Sequence, residues 1–451
     1  MKVVENLIQE GNHLSHSNDI KLLLDIQDKN IEVEENAVEL RSYQGQMAKF
    51  ITAKLTYTPA YCECCGVKNE DYTVYKNGTK TSRITLPISG AYPTYLNLKK
   101  QRFYCKACNG TFSASTSIVQ KDCFISNHTK AKILIKATDA QSLTDIAKDC
   151  LVSTSTVQRV ITTEAKKHHK QYQYLPKHLS FDEFKYKKGQ MAFEYVDAET
   201  GDIIDILERR DARTIKEHFI RNYHLKDLKK VETVTIDMNA GYVNVIKEIF
   251  PQAKIIIDRF HIVQLISRSM NQTRVRIMNR LRTSHGEDMK KYRRLKRYWR
   301  LLLKYKRNIS YTDYKYYPLF GQRLEASVIN ELLDYDEDLK MHYQLYQSLL
   351  ECVKEKDFTA LSYTLNTVDQ SLYFRYMKTS IKTLKKHLSY IKHSLIYPYN
   401  NGRIEGINNK IKVLNRVAYG YRNFHNFKKR IILHFKWRSI IQSKKSSPLT
   451  A

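Results

Sequence analysis

Long apolar runs are missing from this chain of 451 residues. No stretch approaches the ~18 consecutive apolar residues that a membrane span requires. The amino terminus, MKVVENLIQEGNH, has no basic start followed by an apolar run, so no secretory leader is expected either. Cysteine is scarce. Eight in a chain of this length are too few for a disulfide scaffold, and an intracellular, reducing setting is expected. Acid is thin as well, with 46 Asp and Glu against 76 Lys and Arg and a formal net charge of +30. Residues 1–50 carry 5 basic and 9 acidic side chains, so the whole cationic excess lies beyond them. From residue 370 to 451 the only acid is Glu405, while residues 401–446 hold 12 Lys and Arg. Such a surface favours a polyanionic partner, because each neutralised phosphate releases a condensed counterion. Wholesale disorder is excluded by a 42% hydrophobic content, and the length suits two to four domains.

The few cysteines are clustered. Cys62 and Cys65 form one C-x-x-C pair, Cys105 and Cys108 another, and 39 residues rich in strand-forming positions, with an Asn77-Gly78 turn, separate them. Tetrahedral Zn²⁺ takes four thiolates at ~2.3 Å, and two tight knuckles supply two each, so a zinc ribbon is expected. Cys64 is the odd one out, since Cys65 has the better spacing to Cys62. Residues 129–164 then read as helical. Leu143, Ile146, Ala147, Val152, Val157, Val160 and Ile161 can close one core, and Ser153, Thr154, Ser155, Gln158 and Arg159 point outward. Helix, short turn and helix in that order present a recognition helix to a DNA major groove, although any small helical bundle shows the same pattern.

From residue 178 the apolar period changes to two. Three short strands (179–184, 191–196 and 203–207) are followed by helix, strand to Ile236, helix, and strand to Ile257, the order of a mixed α/β sheet. Asp182 lies inside an apolar strand, and Asp237 and Asp258 end two others. An acid in such a place is costly unless it is paired or holds a metal, though Asp237 could simply cap the next helix. Residues 259–308 carry 16 Lys and Arg against two acids and read as cationic amphipathic helices; the segment from 309 to about 395 continues helical. Glu405 sits on a further helix whose apolar stripe is Ile404, Ile407, Ile411 and Leu414, on a polar face with Asn408, Asn409 and Lys412. Asp182, Asp237 and Glu405 together offer the hard oxygen ligands of a Mg²⁺ (or Mn²⁺) site, and two ions ~3.5–4 Å apart could act on a phosphodiester.

The segments Phe181-Asp182-Glu183-Phe184, Ile236 through Tyr242, Ile257 through Val263, and Arg403 through Phe424 resemble bacterial insertion-sequence transposases of the ISL-three family. The resemblance covers nearly the whole chain after residue 50. It implies a multidomain α/β protein: an acidic lead (1–50), a zinc ribbon (51–120), a helix-turn-helix domain (121–172), and an RNase H-like catalytic domain with strand order 3-2-1-4-5. That domain would occupy 173–265 and 397–451, interrupted by an all-helical insertion at 266–396. The implied activity is DDE transposition, meaning Mg²⁺-dependent DNA cleavage and strand transfer, with the head bound to the terminal inverted repeats. Asp237 is expected as the second acid of the triad, because the strand before Asp258 lies one further from that of Asp182. Asp258 is the alternative second acid; otherwise Asp258 and His261 resemble an accessory D-x-x-H motif, with His261 near the scissile phosphate or the triad, and a satisfied core histidine is an equal reading of His261. A homodimer or larger assembly on DNA in the bacterial cytoplasm and nucleoid follows from the same resemblance. The rivals are an inactive, transposase-derived DNA-binding regulator and an RNase H-like nuclease or resolvase.

Overall fold

The computed structural model describes residues 16–167, 174–238 and 241–446, so the domain boundary expected between residues 172 and 173, and Asn239 and Ala240, lie outside the described residues. The chain divides into two compact units, one formed by residues 1–169 with 413–451 and the other by residues 170–412. No described helix is long and apolar enough to cross a membrane.

The first unit begins with helix α1 (His16–Leu23) and a sheet of β1 (Ile31–Tyr43), β2 (Gln46–Leu55), β3 (Val74–Thr85), β4 (Thr94–Cys105) and β5 (Thr111–Ser113). Its main order is β1-β2-β4-β3, with β5 on β4. The boundary expected at residue 50 therefore falls inside a strand. β1 was hidden by its four glutamates, yet its buried positions Ile31, Val33 and Ala37 enter the sheet core. Gln44 and Gly45, both at positive φ, close the β1–β2 hairpin, since two left-handed residues match the strands' twist. The Asn77-Gly78 pair is not a turn but a bulge: β3 runs through it and its register against β4 shifts between Lys76 and Thr79, where Gly78 takes φ +71.

Three helices follow, α2 (Asn127–Thr138), α3 (Leu143–Cys150) and α4 (Thr154–Lys167). Ser126 caps α2, Ser142 caps α3 and the Ser153 hydroxyl accepts from Thr156 N–H at the start of α4, while Leu151 in a left-handed conformation ends α3. Ile133, Ile146, Val157 and Ile161 form their core.

The second unit holds β6 (His178–Lys187), β7 (Gln190–Asp197), β8 (Ile203–Leu207), α5 (Ala212–Asn222), β9 (Thr233–Ile236), α6 (Val243–Ile249) and β10 (Lys254–Ile257), in one sheet of order β10-β9-β6-β7-β8. β6, β7 and β8 form an antiparallel meander, and β9 and β10 join parallel to β6. Alternation places Leu179, Phe181, Phe193 and Tyr195 in one core, against Phe219 and Phe250.

Helical elements follow: α7 (Arg259–Arg280), α8 (Glu287–Arg297), α9 (Glu325–Leu333), α10 (Glu337–Lys354), α11 (Phe358–Thr367), α12 (Arg375–Lys386) and α13 (Leu388–Ile396). This segment is not all-helical, because β11 (Tyr314–Tyr317) and β12 (Gly321–Leu324) form a hairpin within it. Its expected start at 266 lies inside α7, whose Ile262, Met270 and Ile277 are buried at the centre of the helical core. The basic run thus supplies core as well as surface.

Helix α14 (Gly402–Val417) carries Glu405, and α15 (Phe424–Ser446) ends the described chain. The expected last segment, 397–451, combines the final catalytic helix with a basic C-terminus, and within it α15 packs on α2 and α4, with Leu433 in their core. Arg430, 2% exposed, donates to the carbonyls of Asp139 and Gln141 in the turn between α2 and α3.

Candidate metal-dependent active site

Strand register explains how distant acids meet. Ser180 of β6 is level with Thr235 of β9, and Ile236 of β9 with Ile257 of β10, so the chain continues into Asp182, Asp237 and Asp258 at the same end of adjacent parallel strands. Neighbouring strands are ~4.8 Å apart, so consecutive carboxylates in this row are close neighbours. Asp237 does not cap α6, whose N-cap position is Tyr242. Asp182 and Asp237 line one cleft of about 430 Å³ with Glu183, Arg210 and Tyr242.

Asn408 of helix α14 and Asn401, the residue just before it, reach these acids. Asn408 Nδ2 donates to Asp182 Oδ2 at 2.8 Å. Asn401 Nδ2 lies 3.3 Å from Asp237 Oδ1, and its backbone N–H donates to Asp258 Oδ1 at 3.3 Å. Glu405 is exposed and lies between them, four residues after Asn401 and three before Asn408, on one helical stripe. Its backbone N–H donates to Asn401 O at 2.9 Å, which fixes the helix's first turn.

His261 is held by two acids, with Nδ1 3.0 Å from Asp237 and 3.2 Å from Asp258. Asp237, Asp258 and His261 can bring ligand atoms within 4.8 Å of one another; among the described residues Asp182 and Glu405 belong to no such cluster. Asp258 is thus brought beside Asp237, and His261 is a half-buried, doubly engaged imidazole. The hydrogen bond to Asp258 raises the basicity of His261, with Asp237 adding to it against burial. Asp182 is pushed up to about 6 by burial, with the Asp237 charge adding and the Glu183 N–H opposing. Burial likewise raises Asp237, opposed by His261. Carboxylates drawn out of water beside one another suit a site completed by a cation.

Several participants escaped sequence reasoning. Glu194 stands directly opposite Asp182 across β6 and β7, is fully buried, and neither of its oxygens has a hydrogen-bond partner. Burial raises its carboxyl well above the usual range. The signal was present in Phe193-Glu194-Tyr195, an acid between two core aromatics. Glu183 accepts from Tyr242 at 2.9 Å and pairs with Arg210. Asn401 gave no local signal, since its partners lie more than 140 positions away.

A second centre lies in the first unit. The sulfurs of Cys62, Cys65, Cys105 and Cys108 converge, with Cys62 to Cys108 at 3.8 Å and Cys65 to Cys105 at 3.9 Å. Four sulfurs at ~2.3 Å from a tetrahedral Zn²⁺ would be separated by ~3.8 Å. The donor set therefore fits structural zinc. In the helical part, Ser153, Thr154, Ser155 and Arg159 are exposed, and Gln158 is half-buried and bonded to Thr162.

Residues 179–431 match a family model described as transposase, and residues 58–108 match one described as the zinc-finger of transposase IS204/IS1001/IS1096/IS1165. Over 384 residues, 84% of this chain and 89% of the relative, the sequence is 25% identical to the transposase for insertion sequence element IS1001 of Bordetella parapertussis. Over 109 residues it is 39% identical to a Lactococcus lactis subsp. lactis protein named ATP-dependent protease, a match spanning 24% of this chain and 34% of that protein.

Proposed function

The chain belongs to the ISL-three family of insertion-sequence transposases, and we propose that it is a DDE enzyme that cuts and joins DNA with Asp182, Asp237 and Glu405. The observation that carries this reading is the meeting of Asp182 and Asp237 in one cleft while asparagines on either side of Glu405 hold them. The sheet order β8-β7-β6-β9-β10 supports an RNase H-like reading of the catalytic core. Asp182, Asp237 and Glu405 would hold Mg²⁺ or Mn²⁺, which when bound supplies Lewis acidity to the attacking and leaving oxygens of a phosphodiester. Asn408 and Asn401 orient the carboxylates, as outer partners do around metal ligands. His261 and Asp258 act as accessory groups that fix Asp237.

The reaction is two in-line displacements. Water attacks the phosphodiester at the element's end and the P–O bond to the 3′ oxygen breaks; the freed 3′-OH then attacks a phosphodiester of target DNA, joining to its phosphorus as the P–O bond to the target strand's 3′ oxygen breaks and that oxygen leaves as a hydroxyl. The ribbon and the α3–α4 pair, through Ser153, Thr154, Ser155, Gln158 and Arg159, would bind the terminal inverted repeats. Two ends must be handled together, so a homodimer or larger assembly on DNA is expected, in the bacterial cytoplasm and nucleoid. The test is cleavage of an end-containing duplex with and without Mg²⁺, comparing the parent with Asp182→Asn. End-specific nicking by the parent alone supports the reading. Binding without cutting by either favours a regulator, and cutting without regard to the end favours a nuclease.

A further inference from the structure

The first unit contains a cavity of about 520 Å³ on the ribbon sheet, lined by Lys80, Lys100 and Lys121 together with Ser82, Ser117 and Phe124. Lys80 of β3 and Lys100 of β4 are directly opposite in the antiparallel register. Like charges at directly opposed positions destabilise a sheet. Neither lysine forms an ion pair among the described residues, and Glu63 and Asp122, the acids that share the lining, do not bridge to them. Lys100 is half-buried, and burial, with Lys80 next, lowers its basicity against a smaller opposing pull from Asp122. The fold thus holds two cations face to face with no ion pair to either. Hydroxyls of Ser82 and Ser117 supply further donors in the same cavity. Phe124, 63% exposed, adds a flat apolar surface to the polar wall.

We propose that this cavity is a nucleic-acid phosphate site, in which Lys80 and Lys100 flank a backbone phosphate of duplex DNA and Phe124 packs against the adjoining sugar. An anion between the two lysines removes their repulsion, and an aromatic face beside it suits a nucleotide better than a bare anion. The contact is to the backbone, so it positions DNA without reading its sequence. The inference rests on the proposal that this chain handles DNA, and it adds a contact separate from the α3–α4 surface.

The test uses the full chain, a duplex of arbitrary sequence and a salt titration of affinity. Each phosphate contact contributes ~0.9 to the slope of log affinity against log salt. Lys80→Gln with Lys100→Gln is expected to reduce that slope by about 1 and to weaken binding equally on any sequence. Lys80→Arg with Lys100→Arg should keep the slope, and unchanged zinc content shows that the ribbon still folds. Phe124→Ala should weaken binding with the slope preserved. An unchanged slope and affinity in the double Gln variant overturns the site while leaving the transposase reading intact. A parent chain that binds no DNA sinks that reading itself. Saturable binding of inorganic phosphate that the double Gln variant loses, with DNA affinity unchanged, would assign the cavity to free phosphate and also overturn the proposal.

Discussion

Replacing Glu194 by Gln should stabilise the second unit, increasingly so as pH rises. The side chain is fully buried opposite Asp182, with both oxygens unpartnered and the carboxyl raised well above its usual range. In the unfolded chain an ordinary glutamate ionises near pH ~4.3, whereas the folded state keeps its proton. Below that range both states are protonated and the group contributes no pH dependence. Above it the unfolded chain releases a proton that the folded chain retains. Stability then falls by up to ~1.4 kcal/mol per pH unit until the folded-state value is passed. From about pH 5 upward the parent should therefore lose stability relative to Glu194→Gln, which has no proton to release. Urea unfolding followed by Trp299 fluorescence in a Trp437→Phe background reports on the unit that contains Glu194. A stability difference that stays constant with pH would mean that Glu194 ionises in the folded state and would refute this reasoning.

Other outcomes follow from named contacts. Asn408→Ala removes the donor to Asp182 and should raise the Mg²⁺ concentration for half-maximal cleavage by roughly 10-fold or more, the usual cost of a lost outer partner; a titration of cleavage against Mg²⁺ measures it. Cys105→Ser breaks the four-sulfur set and should abolish stoichiometric zinc, as metal analysis would show. Arg430→Ala leaves the Asp139 and Gln141 carbonyls without their buried donor and should cost about 2–3 kcal/mol, read as faster hydrogen exchange in α2 and α3.

What could be read from the sequence was local. Asp182 and Asp237 stood out as acids in or after apolar strands, and the cysteine pairs announced their own spacing. The meander, with its Glu199-Thr200-Gly201-Asp202 turn and Gly201 at φ +80, followed from a period of two. What escaped was set by long-range contact or by masking composition. Glutamates in β1 concealed a strand that pairs with β2. Asn77-Gly78 looked like a turn because the dipeptide that closes hairpins also makes bulges, and only the partner strand decides between them. Nothing local to Asn401 shows that it reaches Phe181, Asp237 and Asp258. Nor does the basic sequence of α15 reveal that Arg430 is buried, because its partners are backbone carbonyls nearly 300 positions earlier.

Glu405 bears most directly on the central claim, because its carboxylate is exposed on the helix whose Asn408, with Asn401 just before it, holds the aspartates. Purified protein and Glu405→Gln should be compared on an end-containing duplex in Mg²⁺, with DNA affinity measured alongside. The account expects equal binding, nicking at the element end by the parent and none by the variant; equal nicking by both would contradict it.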